Sequence, residues 1–403
     1  MSELSYLEKL LDGVEVEWLP LGEITKYEQP TKYLVKAKDY HDTYTIPVLT
    51  AGKTFILGYT NETHGIYQAS KAPVIIFDDF TTANKWVDFD FKAKSSAMKM
   101  VTSCDDNKTL LKYVYYWLNT LPSEFAEGDH KRQWISNYSQ KKIPIPCPDN
   151  PEKSLAIQSE IVRILDKFTA LTAELTAELT AELNMRKKQY NYYRDQLLSF
   201  DESSVEWKTL LEACDYVDYR GKTPKKTQSG IFLVTAKNIR MGYIDYHASQ
   251  EFISEEDYAI VMRRGLPKKG DVLITTEAPC GFVAQVNREN IALAQRVIKY
   301  RSKNTQLSNS FLKHYLLGSQ FQDKLMQAAT GSTVKGIKGS RLHQLKIPIP
   351  SKVEQDRIVA ILDKFDTLTN SITEGLPREI ELRQKQYEYY RDLLFSFPKP
   401  ETV

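Results

Sequence analysis

Cysteine, histidine and long apolar runs are scarce in this chain of 403 residues, and each scarcity removes a class of function. The four cysteines, Cys104, Cys147, Cys214 and Cys280, lie far apart with no C-x-x-C spacing. That pattern suits reduced thiols better than a disulfide framework or a zinc site. The six histidines are scattered without metal-ligand spacing, so no metal site is expected. No stretch reaches the roughly 18 apolar residues of a membrane span, and the opening MSELSYLEKLLDG lacks a basic segment followed by an apolar one. A cytoplasmic protein without membrane contact is the expectation. There is no G-x-x-x-x-G-K-[ST] loop, no H-E-x-x-H and no G-x-S-x-G. The absence of any Pro-Pro dipeptide also excludes the Asn-Pro-Pro-aromatic motif of amino-methyltransferases. Charge of one sign is missing too. The net charge is +2, so a nucleic-acid partner would have to be met by local basic patches.

What is present is repetition. "IVRILDKF" (Ile161 to Phe168) returns as "IVAILDKF" (Ile358 to Phe365), and "RKKQYNYYRDQLLSF" (Arg186 to Phe200) returns as "RQKQYEYYRDLLFSF" (Arg383 to Phe397). Both pairs are offset by 197 residues, and an "IPIP" stands before each repeat, at Ile143 to Pro146 and Ile347 to Pro350. "VEWLPLGEI" (Val16 to Ile24) echoes in "VEWKTLLEA" (Val205 to Ala213). Two such units are too few and too long for a solenoid, so they indicate an internal duplication with approximate two-fold symmetry.

Each repeated block has a helical pattern. Apolar residues at Ile161, Ile164, Leu165, Phe168, Leu171, Leu175, Leu179 and Leu183 recur every three or four positions. Ile358, Ile361, Leu362, Phe365, Leu368, Ile372, Leu376 and Ile380 occupy the matching sites of the second copy. The first helix is expected over about Glu152 to Leu198, with "IPIP" and "CPDNP" stopping what precedes it. Gly375 and Pro377 should kink or restart the second. The variable blocks share a rhythm of strands, at "YTIPVLTAGK" and "APVIIFDDF" and again at "GIFLVTAKNI" and "GDVLITTEA", then a helix at "LLKYVYYWLNTL" or "SFLKHYLLGS". The expected fold is therefore α+β. Two mixed α/β domains (1–150 and 201–350) are separated by two long helices (151–200 and 351–403), packed as an antiparallel coiled coil with a pseudo-two-fold.

Candidate chemistry is mostly binding. Asp78, Asp79 and Asp90-Phe91-Lys92 loosely fit a magnesium-dependent nuclease pattern, but the second block has no equivalent. "VDFDFKAK" also alternates like a half-exposed strand. More telling are the basic segments before each "IPIP". In the first, Lys131, Arg132, Ser136, Lys141 and Lys142 stand out, and in the second Ser332, Thr333, Lys335, Lys338, Ser340, Arg341 and Lys346. A charge run is ordinarily a solvated loop. Superposing the "IPIP" motifs, however, puts Lys131 on Lys335, Ser136 on Ser340 and Lys142 on Lys346. Such side chains and loop amides satisfy phosphate oxygens, and arginine can also read base edges. A weaker second patch combines Lys222, Lys237, Asn238 and Arg240, with Lys53 as a counterpart in the first block.

With "TGST…IPIP…EQDRIVAILDKF" and "QYEYYRDLLFSF", the whole chain resembles the DNA-specificity (S) subunit of type I restriction–modification systems. The verbatim "TAELTAELTAEL" (Thr172 to Leu183) is similar to the IC subgroup, where this tetrapeptide varies in copy number. The resemblance implies two target-recognition domains, each reading one half of an asymmetric bipartite site in double-stranded DNA. It also implies that two methyltransferase (M) subunits and restriction/motor (R) subunits are partners. S-adenosylmethionine, ATP and Mg²⁺ would sit on those partners, with no cofactor and no catalytic residue in this chain. Leu171, Leu175, Leu179 and Leu183, with Leu368, Ile372, Leu376 and Ile380, would form a spacer helix pair. A competing reading is a coiled-coil scaffold that binds only proteins.

Overall fold

In the computed structural model, residues 6–36, 40–50, 52, 54–122, 132–219, 224–371 and 374–399 are described. The chain forms two compact units, Met1–Leu175 with Leu382–Val403, and Thr176–Glu381. One unbroken helix, Pro151–Leu197 (the central helix), runs through both, and the division falls inside the TAEL repeat.

The first unit is built on strands β1 (Val16–Pro20), β2 (Thr25–Glu28), β3 (Val74–Asp78), β4 (Asn84–Val87), β5 (Met98–Ser103) and β6 (Lys142–Pro146). Strands β2, β5, β3 and β4 form an antiparallel sheet in that order. β3 is the apolar run "VIIFD", and its side chains alternate between two cores as a strand's must. Ile75 and Phe77 join the core around the helix Leu111–Leu118, while Val74 and Ile76 face a core beneath a small second sheet. In that sheet Ile46–Leu49 lies between an antiparallel strand, Ile56–Thr60, and a parallel one, Lys92–Ala93.

The second unit repeats this plan. Its strands are β7 (Glu206–Thr209), β8 (Cys214–Asp218), β9 (Val272–Thr276), β10 (Cys280–Gln285), β11 (Val297–Ser302) and β12 (Lys346–Ile349). The sheet order is β8, β11, β9, β10. Val272 and Ile274 face the core under the helix Asn309–Leu317, and Leu273 faces the other. Its second sheet also pairs a central strand, Ile231–Val234, antiparallel on one side and parallel on the other.

"IPIP" is itself a strand, and in each unit the helix begins after it. β6 pairs with β1, setting Val16 against Pro146 and Trp18 against Pro144, and β12 pairs with β7 in the same way. Cys147 N donates to Glu15 O and Leu21 N to Lys141 O, so odd-numbered residues of β6 carry the ladder. The prolines fall on the open edge, where no donor is required. Pro144 O there accepts from the Tyr113 hydroxyl at 2.7 Å.

In each unit the two helical segments run antiparallel. In the first, Leu394 and Phe395 share a core with Ile161 and Leu165, Phe168 meets Tyr390, and Thr169 Oγ1 donates to Tyr387 Oη at 3.1 Å. In the second, Tyr190 stacks near Phe365, and Leu198 shares a core with Ile358 and Leu362. The second helical stretch breaks after Lys352–Asn370 and restarts at Leu376–Leu394. Gly375 takes a left-handed φ of 84° at the restart, where a Cβ would meet Thr367 O at 2.5 Å. Ile372 lies outside the described residues.

The apolar stripe is not continuous core. Leu175, Leu179, Leu183, Leu368, Leu376 and Ile380 are half-buried, and Leu171 is exposed. Between Leu165 and Tyr190 the central helix has no buried residue.

Candidate nucleic-acid interface

The two pre-"IPIP" segments are held by the same backbone frame. In the second unit Ile337 N donates to Thr276 O at the end of β9, and Thr276 N donates to Arg296 O. In the first, Gln133 N donates to Asp79 O just past β3, and Asp79 N donates to Ala97 O. Each basic segment is thus pinned to the end of its sheet's central apolar strand before it turns into the "IPIP" strand.

The second-unit segment presents most of its polar side chains to solvent. Reciprocal hydrogen bonds between Thr330 and Gly336, at 2.8 and 2.9 Å, pinch off a lobe of Gly331 to Lys335. Gly331 has φ +111°, and a Cβ would lie 2.0 Å from Val334 O, so only glycine closes this lobe. Ser332, Thr333 and Lys335 are exposed on it, as are Lys338, Ser340, Arg341 and Lys346 beyond it. Lys335 and Lys338 have no ion-pair partner among the described residues. Arg341 Nη1 donates to Ala328 O at 3.2 Å, which ties it to the preceding helix.

In the first unit Asp79 does the pinning with its side chain as well. Its Oδ1 accepts from Trp134 N at 2.9 Å, and its other oxygen lies 3.4 Å from the buried Lys99 ammonium. Trp134 packs edge-on to Phe77. Arg132, Ser136 and Lys142 are exposed, and the Lys141 ammonium lies over the Tyr138 ring at 5.3 Å. Lys142 opens β6 opposite Pro20 as Lys346 opens β12 opposite Thr209, which is the equivalence the motif alignment predicts. Lys131, Lys53 and Lys222 lie outside the described residues.

The second patch separates from these segments. Gly242 N donates to Val283 O, which places the chain just after the "TAKNIR" turn against β10. Asn238 departs from its expected role because it is buried and its amide is fully engaged. It accepts from Thr235 N and Thr235 Oγ1 and donates to Asp245 O and Ser249 O, so it shapes the turn. Lys237 is exposed, and Arg240 lies 3.6 Å from Asp245.

The acids of the nuclease-like pattern have structural roles. Asp78 Oδ1 accepts from Phe80 N and Thr81 N, and Asp90 Oδ1 accepts from Ser70 N and Ser70 Oγ. Lys92 is buried, donating to His64 O and Gly65 O beside Glu62. "VDFDFKAK" is not one strand: β4 ends at Val87, and Lys92–Ala93 crosses to the other sheet. Among the described residues no group of three His, Cys, Asp or Glu is placed to hold a metal ion.

The anchors that join head to helix carry no recognisable motif. Gln158 on the central helix accepts from Leu110 N at 2.9 Å and donates to Lys108 O. Gln355 accepts from Ser308 N at 2.8 Å and donates to Gln306 O. Asp166 pairs with Lys112, and Asp363 pairs with Lys313 and with His314. The signal was present, since Gln158 and Gln355, like Asp166 and Asp363, stand at the same 197-residue offset.

A duplicated sheet-and-helix head, with a basic segment fixed at one strand end, defines a two-headed recognition module. The model of the type I restriction modification DNA specificity domain matches the chain twice, over residues 13–185 and 207–382. The chain belongs to that family and is a specificity subunit of a type I restriction–modification system, the non-catalytic member of a methyltransferase and restriction complex. It is 68% identical to the type I restriction enzyme EcoR124I/EcoR124II specificity subunit of Escherichia coli, covering 100% of both chains. It is 37% identical to the EcoprrI specificity subunit of Escherichia coli, covering 93% of each. A chain solved in work on complex assembly and conformational transition of the type I R-M system superposes with a TM-score of 0.55 at 17% identity. That alignment covers 94% of this chain and 97% of the other, and it supports the fold.

Proposed function

We propose that each unit reads one half of an asymmetric bipartite DNA site through its pre-"IPIP" segment, and that the TAEL portion of the central helix sets the spacer between the halves. The observation that carries this reading is the repeated backbone frame. It fixes an exposed basic segment at the same strand end in both units while the side chains on it differ. Backbone position is common and base chemistry is not, which is what two unlike half-sites require. Two methyltransferase subunits and the motor-nuclease subunits complete the assembly in the cytoplasm, and S-adenosylmethionine, ATP and Mg²⁺ belong to them. The candidate contacts are Arg132, Ser136, Lys141 and Lys142 in the first unit, and Ser332, Thr333, Lys335, Lys338, Ser340, Arg341 and Lys346 in the second. Lys237 and Arg240 are secondary candidates.

The test is charge reversal at the two unpaired lysines, K335E with K338E, in the complex assembled with its methyltransferase partners. The expected result is intact assembly, weaker binding to the bipartite duplex, and a salt dependence whose slope drops by about one to two. Unchanged binding would remove Lys335 and Lys338 from the DNA interface and overturn the assignment of that segment as the reading surface of the second unit.

A further inference from the structure

One backbone frame carries different side chains in the two units. Its hydrogen bonds put Thr276 where the first unit has Asp79, and Arg296 where the first unit has Ala97. In the first unit the alanine ends at its Cβ, and the Asp79 carboxylate is buried and committed to Trp134 N and Lys99. In the second unit the Arg296 side chain is 55% exposed and lies 3.6 Å from the Glu277 carboxylate, itself 47% exposed. Both line a polar cleft of about 440 Å³, bounded also by Thr330, Gly336 and Lys338.

Arg296 is held in place by its backbone. Its φ is 69°, a left-handed conformation that a side chain of this size rarely takes. Its carbonyl accepts from both Thr276 N and Thr276 Oγ1, at 2.8 and 3.3 Å, which keeps the residue there. A strained residue fixed beside a cleft is a common mark of a functional position. An exposed Arg–Glu pair adds little to folding, so stability does not account for it.

We propose that Arg296 and Glu277 together read one G·C base pair in the half-site of the second unit. This rests on the reading of that unit as a DNA-binding head. Arg296 donates to guanine O6 and N7, and Glu277 accepts from the cytosine amino group, the pairings that major-groove chemistry favours. In the free protein the two side chains face each other at 3.6 Å. On DNA the base edges replace that contact. The first unit, with Ala97 and a committed Asp79 on the same frame, has no such reader.

The experiment maps methylated adenines in cells carrying the chain with its partners, as wild type, R296A and E277Q. Wild type is expected to show a fixed guanine at one position of one half-site. R296A is expected to relax that position alone, lowering discrimination there roughly tenfold to a hundredfold, with the other half-site and the spacer unchanged. E277Q is expected to weaken the same position. An unchanged motif in both variants overturns the proposal. So does uniform weakening on all sequences with a smaller salt slope, when the same assembled complexes are titrated with duplex DNA at several salt concentrations, which would make Arg296 a phosphate contact. If R296A abolishes methylation altogether, E277Q decides, and an intact motif there also overturns it. A wild-type map with no bipartite motif would instead remove the DNA-reading role of the unit, and the proposal with it.

Discussion

His314 is a buried titratable side chain of the second unit. It is fully buried on the helix Asn309–Leu317, with one ring nitrogen 2.7 Å from Asp363 Oδ1 and the other without a partner. Its neighbours are Lys313, Asp363 and Asp366. Burial pushes its pKa below the ordinary 6.5, against the pull of Asp363, so the folded unit holds it neutral. Asp363 is held below the usual carboxylate range. Its partial burial works against ionisation, but the His314 hydrogen bond and the Lys313 ammonium outweigh it. Both folded-state values are depressed, so in each case the unfolded chain takes the proton first as pH falls. Stability is therefore complete above about pH 6.5 and declines below it as the unfolded histidine charges, with a second decline below about pH 4 from Asp363. Denaturant midpoints measured from pH 8 to pH 3 should fall in that order, and H314Q should remove the first decline. A midpoint flat between pH 7 and pH 5 would contradict this account of the histidine.

At the scale of elements, one buried glutamine in each unit helps tie the head to its helix. Gln158 and Gln355 are fully buried, and each amide satisfies backbone groups at the start of a head helix. Removing either leaves buried polar groups unpaired, at about 1–3 kcal/mol per group. Q158A and Q355A should each lower the urea midpoint by a similar amount, and a loss confined to one would break the equivalence of the two joints. The helices themselves were legible in the sequence. The first was expected over about Glu152 to Leu198 and spans Pro151–Leu197, and the second breaks before Gly375 as its glycine and proline require. The buried strands at Val74–Asp78 and Val272–Thr276 were legible from their apolar runs. The strand pairing of "IPIP" was not legible, because proline signals a break locally and the partner strand lies more than a hundred residues away. Asn238 was misassigned for a related reason, since a buried turn-forming amide and an exposed base-reading one look alike in sequence. Arg296 and Glu277 were invisible because no motif links them, and only the frame at the end of β9 brings them together.

At the scale of the whole molecule, duplication supplies two heads and the TAEL repeat separates them along the chain. No residue between Leu165 and Tyr190 is buried, so a change of length by whole units is expected to leave the core of each unit intact. Four residues add about 6 Å of helix and a net rotation of roughly 40°, which keeps each leucine near the same face. That displacement compares with one or two base-pair steps of about 3.4 Å. The measurement that tests the account most directly is a genome-wide map of methylated adenines for the wild-type chain and for a variant lacking one TAEL unit, each with its partner subunits. The account predicts two bipartite motifs with identical half-sites, the variant's spacer being shorter by one or two base pairs. Altered half-site sequences, or an unchanged spacer in an active complex, would contradict it.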